Sequence, residues 1–135
     1  RYKYISRNGR VDGYYSGYTF ANQLGVTTQV PYMVEIVSNN ASARVREVNL
    51  HGRRVLLRKA RVLVTKENYR ILQFLDFLKD IDQYADENDK ILSDRIRKYV
   101  VDVQIKKTEI DCYIKQYPDR IYRYIYEMRL YDVFA

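Results

Sequence analysis

A chain of 135 residues fits one domain or a large part of one, and 47% hydrophobic with 30% charged residues excludes a disordered chain. No apolar run approaches the ~20 residues that a membrane-spanning helix needs. The net charge is +7, and its source is local: Arg44, Arg46, Arg53, Arg54, Arg58, Lys59 and Arg61 lie close together in sequence with Glu47 as their only acid.

Cys112 is the sole cysteine, so no internal disulfide forms, which suits a reducing cytoplasm. The opening "RYKYIS" carries neither Met nor an apolar signal core and leads us to expect a further domain upstream. Fifteen Tyr against no Trp is an unusual aromatic balance. It suits half-wet interfaces, where a ring is buried and its hydroxyl stays in water. It also suits a genome rich in A and T.

The first predicted element is a hairpin turning at Asn8-Gly9. Residues 16–24, "SGYTFANQL", read as a short helix, with Ser16 as N-cap and Gly25 in the left-handed position past its end. "VTTQV" then reads as extended. Pro31 forbids a backbone donor and pushes Val30 out of helical space. In this connector Gly25, Thr27, Thr28, Gln29 and Pro31 read as structural, the Thr and Gln side chains satisfying backbone groups. "YMVEIVS" is a buried strand, and Asn39-Asn40 is a turn.

Residues 44–58 form a predicted hairpin about His51-Gly52. Side chains alternate along a strand, so Val55 and Leu57 point inward while Arg54, Leu56 and Arg58 point outward. Arg44 and Arg46 share one face of the preceding strand, and a basic face across both strands follows. It suits a phosphate backbone or an acidic protein. It equally suits a solvated outer face whose edge charges block aggregation. Residues 61–65 are a further strand candidate.

After Thr65 the apolar period changes from 2 to 3.6. Ile71, Leu72, Phe74, Leu75, Leu78 and Ile81 define a helix over 66–82 with Thr65 as N-cap, and residues 82–90 follow as a polar loop. Leu92, Ile96, Tyr99, Val100 and Val103 define a second helix. Thr108 caps a third, with Ile110, Tyr113, Ile114 and Tyr117 as its stripe. Pro118 opens the last, which runs over 119–134. That helix has two stripes: Ile121, Tyr124, Ile125, Met128 and Tyr131 for the core, and Tyr122, Tyr126 and Leu130 as a candidate protein contact. Strands first and helices after predict an α+β fold: a small antiparallel sheet over about 1–65 and three to four helices over about 66–135, in one domain.

Catalytic chemistry finds little support. His51 is the only histidine, and it falls in a predicted turn far in sequence from Cys112. Neither G-x-x-x-x-G-K-S/T nor G-x-G-x-x-G occurs. "VDVQIKK" offers Asp102, Gln104 and Lys106 for metal-dependent nuclease chemistry, yet it ends a helix-period segment instead of following a turn on a strand. The expectation is a non-enzymatic binding module with no cofactor and no metal.

"YYSGYTFANQLGVTTQVPYMVEIVSN" followed by "GRRVLLRKAR" resembles the AbiEi-like antitoxins and transcriptional regulators of AbiE-type abortive-infection systems, together with a close relative of unknown function. Ala21, Asn22, Leu24, Gly25, Thr27, Thr28, Gln29, Val30, Pro31, Gly52, Arg53 and Arg58 carry the resemblance, which spans about residues 13–65 and matches the C-terminal helices poorly. It implies a cytoplasmic bacterial phage-defence protein whose missing N-terminal winged-helix domain binds operator DNA. The present domain would then counteract a nucleotidyltransferase-type toxin, touching the toxin or its nucleic-acid substrate. An alternative is an accessory nucleic-acid-binding role for the basic hairpin.

Overall fold

The computed structural model describes residues 3–84 and 89–135. The chain opens with a two-stranded hairpin, β1 (Ser6–Arg7) and β2 (Arg10–Val11). Asn8 and Gly9 both take positive φ, the geometry that lets a two-residue loop follow the right-handed twist of its strands. β3 (Gly13–Tyr15) leads into α1 (Gly17–Leu24), and β4 (Val34–Ser38), β5 (Val45–Leu50) and β6 (Arg53–Lys59) complete the sheet. Among the described residues the helices α2 (Tyr69–Lys79), α3 (Ile81–Tyr84), α4 (Asp89–Val103), α5 (Lys107–Tyr113) and α6 (Arg120–Glu127) follow, more than the three to four expected. The α+β class therefore stands.

Within that class the sheet is mixed. Its order is β3-β4-β6-β5, and β6 runs parallel to β4 while the other ladders are antiparallel. The residues explain which strand takes the centre. β6 holds "VLL", with Val55 and Leu57 buried and Leu56 half-buried, so both its faces are covered. β5 has no fully buried position and carries Arg46 and Glu47, and it stays at the edge, where charges discourage further pairing.

The two sheet faces have different cores. Tyr14 and Val37 join Phe20 of α1 and the apolar faces of α2, α4, α5 and α6 in one large cluster. Ile71, Leu72, Phe74, Leu75, Leu78 and Ile81 all lie in it, with Phe77 as an addition the periodicity did not single out. Burying each such side chain contributes about 1.5–3 kcal/mol. The opposite face carries Val34, Ile36, Val55 and Leu57 and is covered by Ile5 and Ala41. Strands and helices thus share the larger of the two clusters.

Several boundaries differ from expectation. Residues 61–65 are not a strand. Their backbone is satisfied by side-chain amides instead: Asn39 exchanges bonds of 2.9 and 2.8 Å with Val64, and Asn68 donates to the Leu63 carbonyl. Thr65 does close the start of α2, reciprocally with Asn68, but regular helix begins only at Tyr69. Gln83 and Tyr84, expected in a loop, belong to the single turn of α3, and residues 85–88 of that expected loop lie outside the described residues. Thr108 lies inside α5 and does not cap it; Lys106 is the N-cap, its N–H donating to Glu109.

The last helix is shorter than its sequence pattern. Arg129 takes φ 54°, α6 ends at Glu127, and a 3₁₀ turn carries Leu130–Asp132. The break rotates Leu130 into the core, so the Tyr122/Tyr126/Leu130 stripe does not exist as a surface: both tyrosines are exposed and Leu130 is fully buried. Tyr131 is likewise exposed, leaving Ile121, Tyr124, Ile125 and Met128 as the core stripe.

Gly13 sits where β3 meets the N-terminal segment. A methyl group there would collide with the main-chain carbonyls of Val37 and Tyr4, neither of which moves without disturbing a strand. Gly13→Ala is expected to cost about 1–3 kcal/mol in urea unfolding. Wild-type stability in that variant would refute the close approach.

Candidate anion-binding cleft

The face of the sheet toward α1 and α2 extends past the helices that cover it. The uncovered part is a cavity of about 650 Å³, roofed by Gly17 and Tyr18 of α1 and by Asp76, Lys79, Asp80 and Tyr84 from the α2–α3 region. Arg44, Arg58, Lys59 and Arg61 line it with Glu35 and Val37. A second cavity of about 350 Å³ adjoins it and shares Tyr18 and Glu35; its other walls include Val30, Pro31, Tyr32, Met33 and Leu56.

One residue fixes the roof. Glu35 interrupts the apolar run of β4, and all its polar groups meet the start of α1. Its N–H donates to Thr19 Oγ1 at 3.0 Å, its carbonyl accepts from Ser16 N at 2.9 Å, and its carboxylate accepts from Tyr18 N at 2.9 Å. Ser16 itself makes no side-chain capping bond, so the expected cap is supplied from the neighbouring strand. Gly17, at φ 55°, leaves room for that carboxylate, which a side chain at this position would displace. Gly25 ends α1 at φ 77° as expected, and Val26 N returns to the Ala21 carbonyl.

The connector after α1 is built partly as predicted. Thr27 is buried, and its hydroxyl accepts from Gln29 N at 3.1 Å. The Thr28 and Gln29 side chains do not take that role; the amide of Asn22, back in α1, reaches the Thr27 and Gln29 carbonyls. The connector delivers Tyr32, 77% exposed, to the mouth of the second cavity.

The basic cluster does not form one surface. Cross-strand partners project from the same sheet face. Arg46 lies opposite Leu57 and Arg53 opposite Leu50, so both belong to the face covered by Ile5. Arg54 and Arg58 belong to the cleft face. The expected single basic face is therefore split by the register. Arg44 escapes the alternation because it precedes β5 in a bend, and it joins Arg58 at the cavity.

The charges within the cleft are unequal in commitment. Arg54 bonds the Glu47 carboxylate at 2.7 and 2.9 Å and stacks on Tyr32 at 4.9 Å. Arg61 bonds the Gln116 carbonyl at 2.7 Å and stacks on Tyr117. Asp76 accepts from the Tyr14 hydroxyl and lies 3.7 Å from Lys79. Lys79 also pairs with Asp80, which takes a further bond of 3.0 Å from Arg120. Every carboxylate lining the cavity is thus engaged. Among the described residues the Arg58 and Arg44 side chains have no hydrogen-bond or ion-pair partner, while Lys59, at the cavity edge, alternates onto the face of Arg53. Arg44, Arg58, Lys59, Arg61 and Lys79 outnumber Glu35, Asp76 and Asp80 among the lining residues, and a concave site with such a cationic excess favours an anion.

Sequence reasoning missed Glu35, Asp76, Lys79 and the tyrosines 18, 32 and 84. A signal existed for two of them. Glu35 is a charge within an apolar strand, and Asp76 sits four residues after Leu72 on the core-facing side of α2.

The nuclease candidates gain no companions. Asp102 is exposed and paired with Lys98 at 2.6 Å, and Gln104 occupies the left-handed turn that ends α4. His51 is at the tip of the β5–β6 hairpin, and Cys112 is exposed on α5. Among the described residues no group of three His, Cys, Asp or Glu is placed to hold a metal ion. No described helix is long and apolar enough to cross a membrane.

Burial holds the Asp76 carboxyl above its ordinary value of 3.8, against the opposing pull of Lys79 and the Tyr14 hydroxyl. A raised folded-state value means that ionised Asp76 costs stability, and that this cost disappears as pH falls through the folded value. Wild type should therefore lose stability relative to Asp76→Asn between pH 4 and pH 7. Parallel urea-unfolding curves at the two pH values check this; an equal change in both proteins contradicts it.

Comparison of the chain with protein-family models, with curated proteins and with solved structures finds no match.

Proposed function

We propose that this chain is a regulatory binding domain of an AbiEi-like antitoxin, acting in the bacterial cytoplasm and working through the cleft between β6 and α1. The observation that carries the reading is the pair Arg44 and Arg58, without a side-chain partner among the described residues, in a cavity whose carboxylates are all hydrogen-bonded or ion-paired. Such a surface offers charge-assisted hydrogen bonds to an anionic group on the toxin or on the toxin's nucleic-acid substrate. The resemblance of residues 13–65 to that class supplies the biological setting, including operator binding by an upstream winged-helix domain. Absence of a described membrane-crossing helix and the single exposed Cys112 agree with this setting.

An accessory DNA-binding role draws on the other sheet face. Arg46 and Arg53 are exposed there, and Arg46 donates only to Ser42. Two isolated guanidinium groups offer few phosphate contacts, and affinity for a duplex rises with their number. The cleft is the better-built site.

Co-expression with a nucleotidyltransferase-type toxin encoded beside the gene tests this. The wild-type protein should restore growth, and the Arg44→Glu/Arg58→Glu double variant should lose that protection while keeping its unfolding midpoint. Failure of the wild type to protect ends the antitoxin reading. Full protection by the double variant ends the role of the cleft, and Arg46→Glu/Arg53→Glu then becomes the informative pair.

A further inference from the structure

The two cavities form one bipartite site, and we propose that it takes a single nucleotide unit, a phosphate joined to a base, either free or at the end of a single strand. This rests on the reading of the cleft as the working surface and names its ligand.

Floor and walls supply two different chemistries at a matching separation. Arg58 and Leu56 are two residues apart on β6 and project from the same face. Strand rise places them about 7 Å apart, which suits the reach from the phosphate to the base of one nucleotide. At the Arg58 end, Arg44 adds a second guanidinium, and neither side chain has a hydrogen-bond or ion-pair partner among the described residues. A phosphate with two negative charges uses several such donors at once.

The Leu56 end is apolar and aromatic. Leu56, Met33, Pro31 and Val30 form its walls, with the rings of Tyr18 and Tyr32 beside them. Tyr32 carries the Arg54 guanidinium at 4.9 Å, which makes an extended flat surface for stacking. Gln29 lines the same cavity, and its side-chain amide makes no hydrogen bond among the described residues. An amide is both donor and acceptor, as the edge of a base requires.

Glu35 occupies the boundary shared by the two halves, with its carboxylate turned to Tyr18 N. Tyr18 stands beside it, its hydroxyl bonded to the Gln83 carbonyl at 2.8 Å and its ring edge-on to Tyr84 at 4.9 Å. The wall between the halves is therefore fixed by the fold. An acidic peptide would satisfy the cationic half alone and leave the flat apolar half without a matching group.

Isothermal titration of the whole chain tests the proposal with four probes. These are adenosine monophosphate, adenosine, inorganic phosphate, and a 5′-phosphorylated single-stranded oligonucleotide. Saturable binding of the monophosphate, at least about tenfold tighter than either adenosine or inorganic phosphate, is the expected result. Binding of the oligonucleotide alone also supports it and identifies a strand end as the source of the nucleotide.

Arg58→Ala should weaken binding about tenfold or more. Tyr32→Ala should weaken nucleotide binding and leave inorganic phosphate unchanged. Arg53→Ala, on the opposite face, should leave both unchanged. These side chains are exposed, and an unaltered circular-dichroism melt verifies folding of each variant. Absence of saturable binding overturns the nucleotide assignment, as does equal affinity for inorganic phosphate. So does Arg58-dependent binding of a poly-glutamate peptide in place of the nucleotides. Each of these failures leaves the growth-protection experiment free to succeed.

Discussion

Glu35 is the residue on which the architecture of the site turns. Three polar groups of one residue meet three groups at the start of α1, and each would otherwise be an unsatisfied donor or acceptor in a poorly hydrated place. The clamp sets the angle at which α1 crosses β4. It thereby positions Tyr18 between the cavities and holds the helix clear of Arg58. Glycine at 17 is part of the same device, since the carboxylate occupies the space in which a side chain would lie.

The parallel pairing of β4 with β6 has the second largest consequence. With β6 inserted beside β4, Arg58 comes to lie opposite Val37 on the inner ladder instead of at an outer rim. β5 is then pushed to the edge and takes Glu47 with it, which occupies Arg54. One arginine is thus spent on holding the hairpin to Tyr32, while the next on the same face remains available. The split of the basic cluster between two faces follows from one-residue alternation along the strand.

Buried charge is concentrated behind the cleft. Asp76, Lys79, Asp80 and Arg120 form a chain of ion pairs at the end of α2, and the Tyr14 hydroxyl closes it from the sheet. Such a network binds helix and sheet in a defined relation, because removing the partners of Asp76, its most buried member, leaves a carboxylate poorly reached by water. Its effect on the site is to pair Asp76 and Asp80, leaving Arg58 and Arg44 as lining cations without a partner among the described residues.

The α+β class, the two glycine-bearing hairpin turns, the left-handed stop at Gly25 and the apolar faces of α2 and α4 are determined by sequence alone. Each rests on a local rule: a backbone angle, a period of 2 or 3.6, or a cap within a few residues. The parallel ladder was not foreseen: the sequence leads to an antiparallel sheet with Leu56 pointing outward, and the pairing of β4 with β6 joins segments whose register no local rule sets. Tertiary structure alone decided the rest. Residues 61–65 lost their strand because the amides of Asn39 and Asn68 satisfied their backbone first. Leu130 left its stripe because the chain turned at Arg129. The cleft itself joins Arg58, Asp76 and Tyr18 from separate segments, and only long-range packing brings such distant positions together.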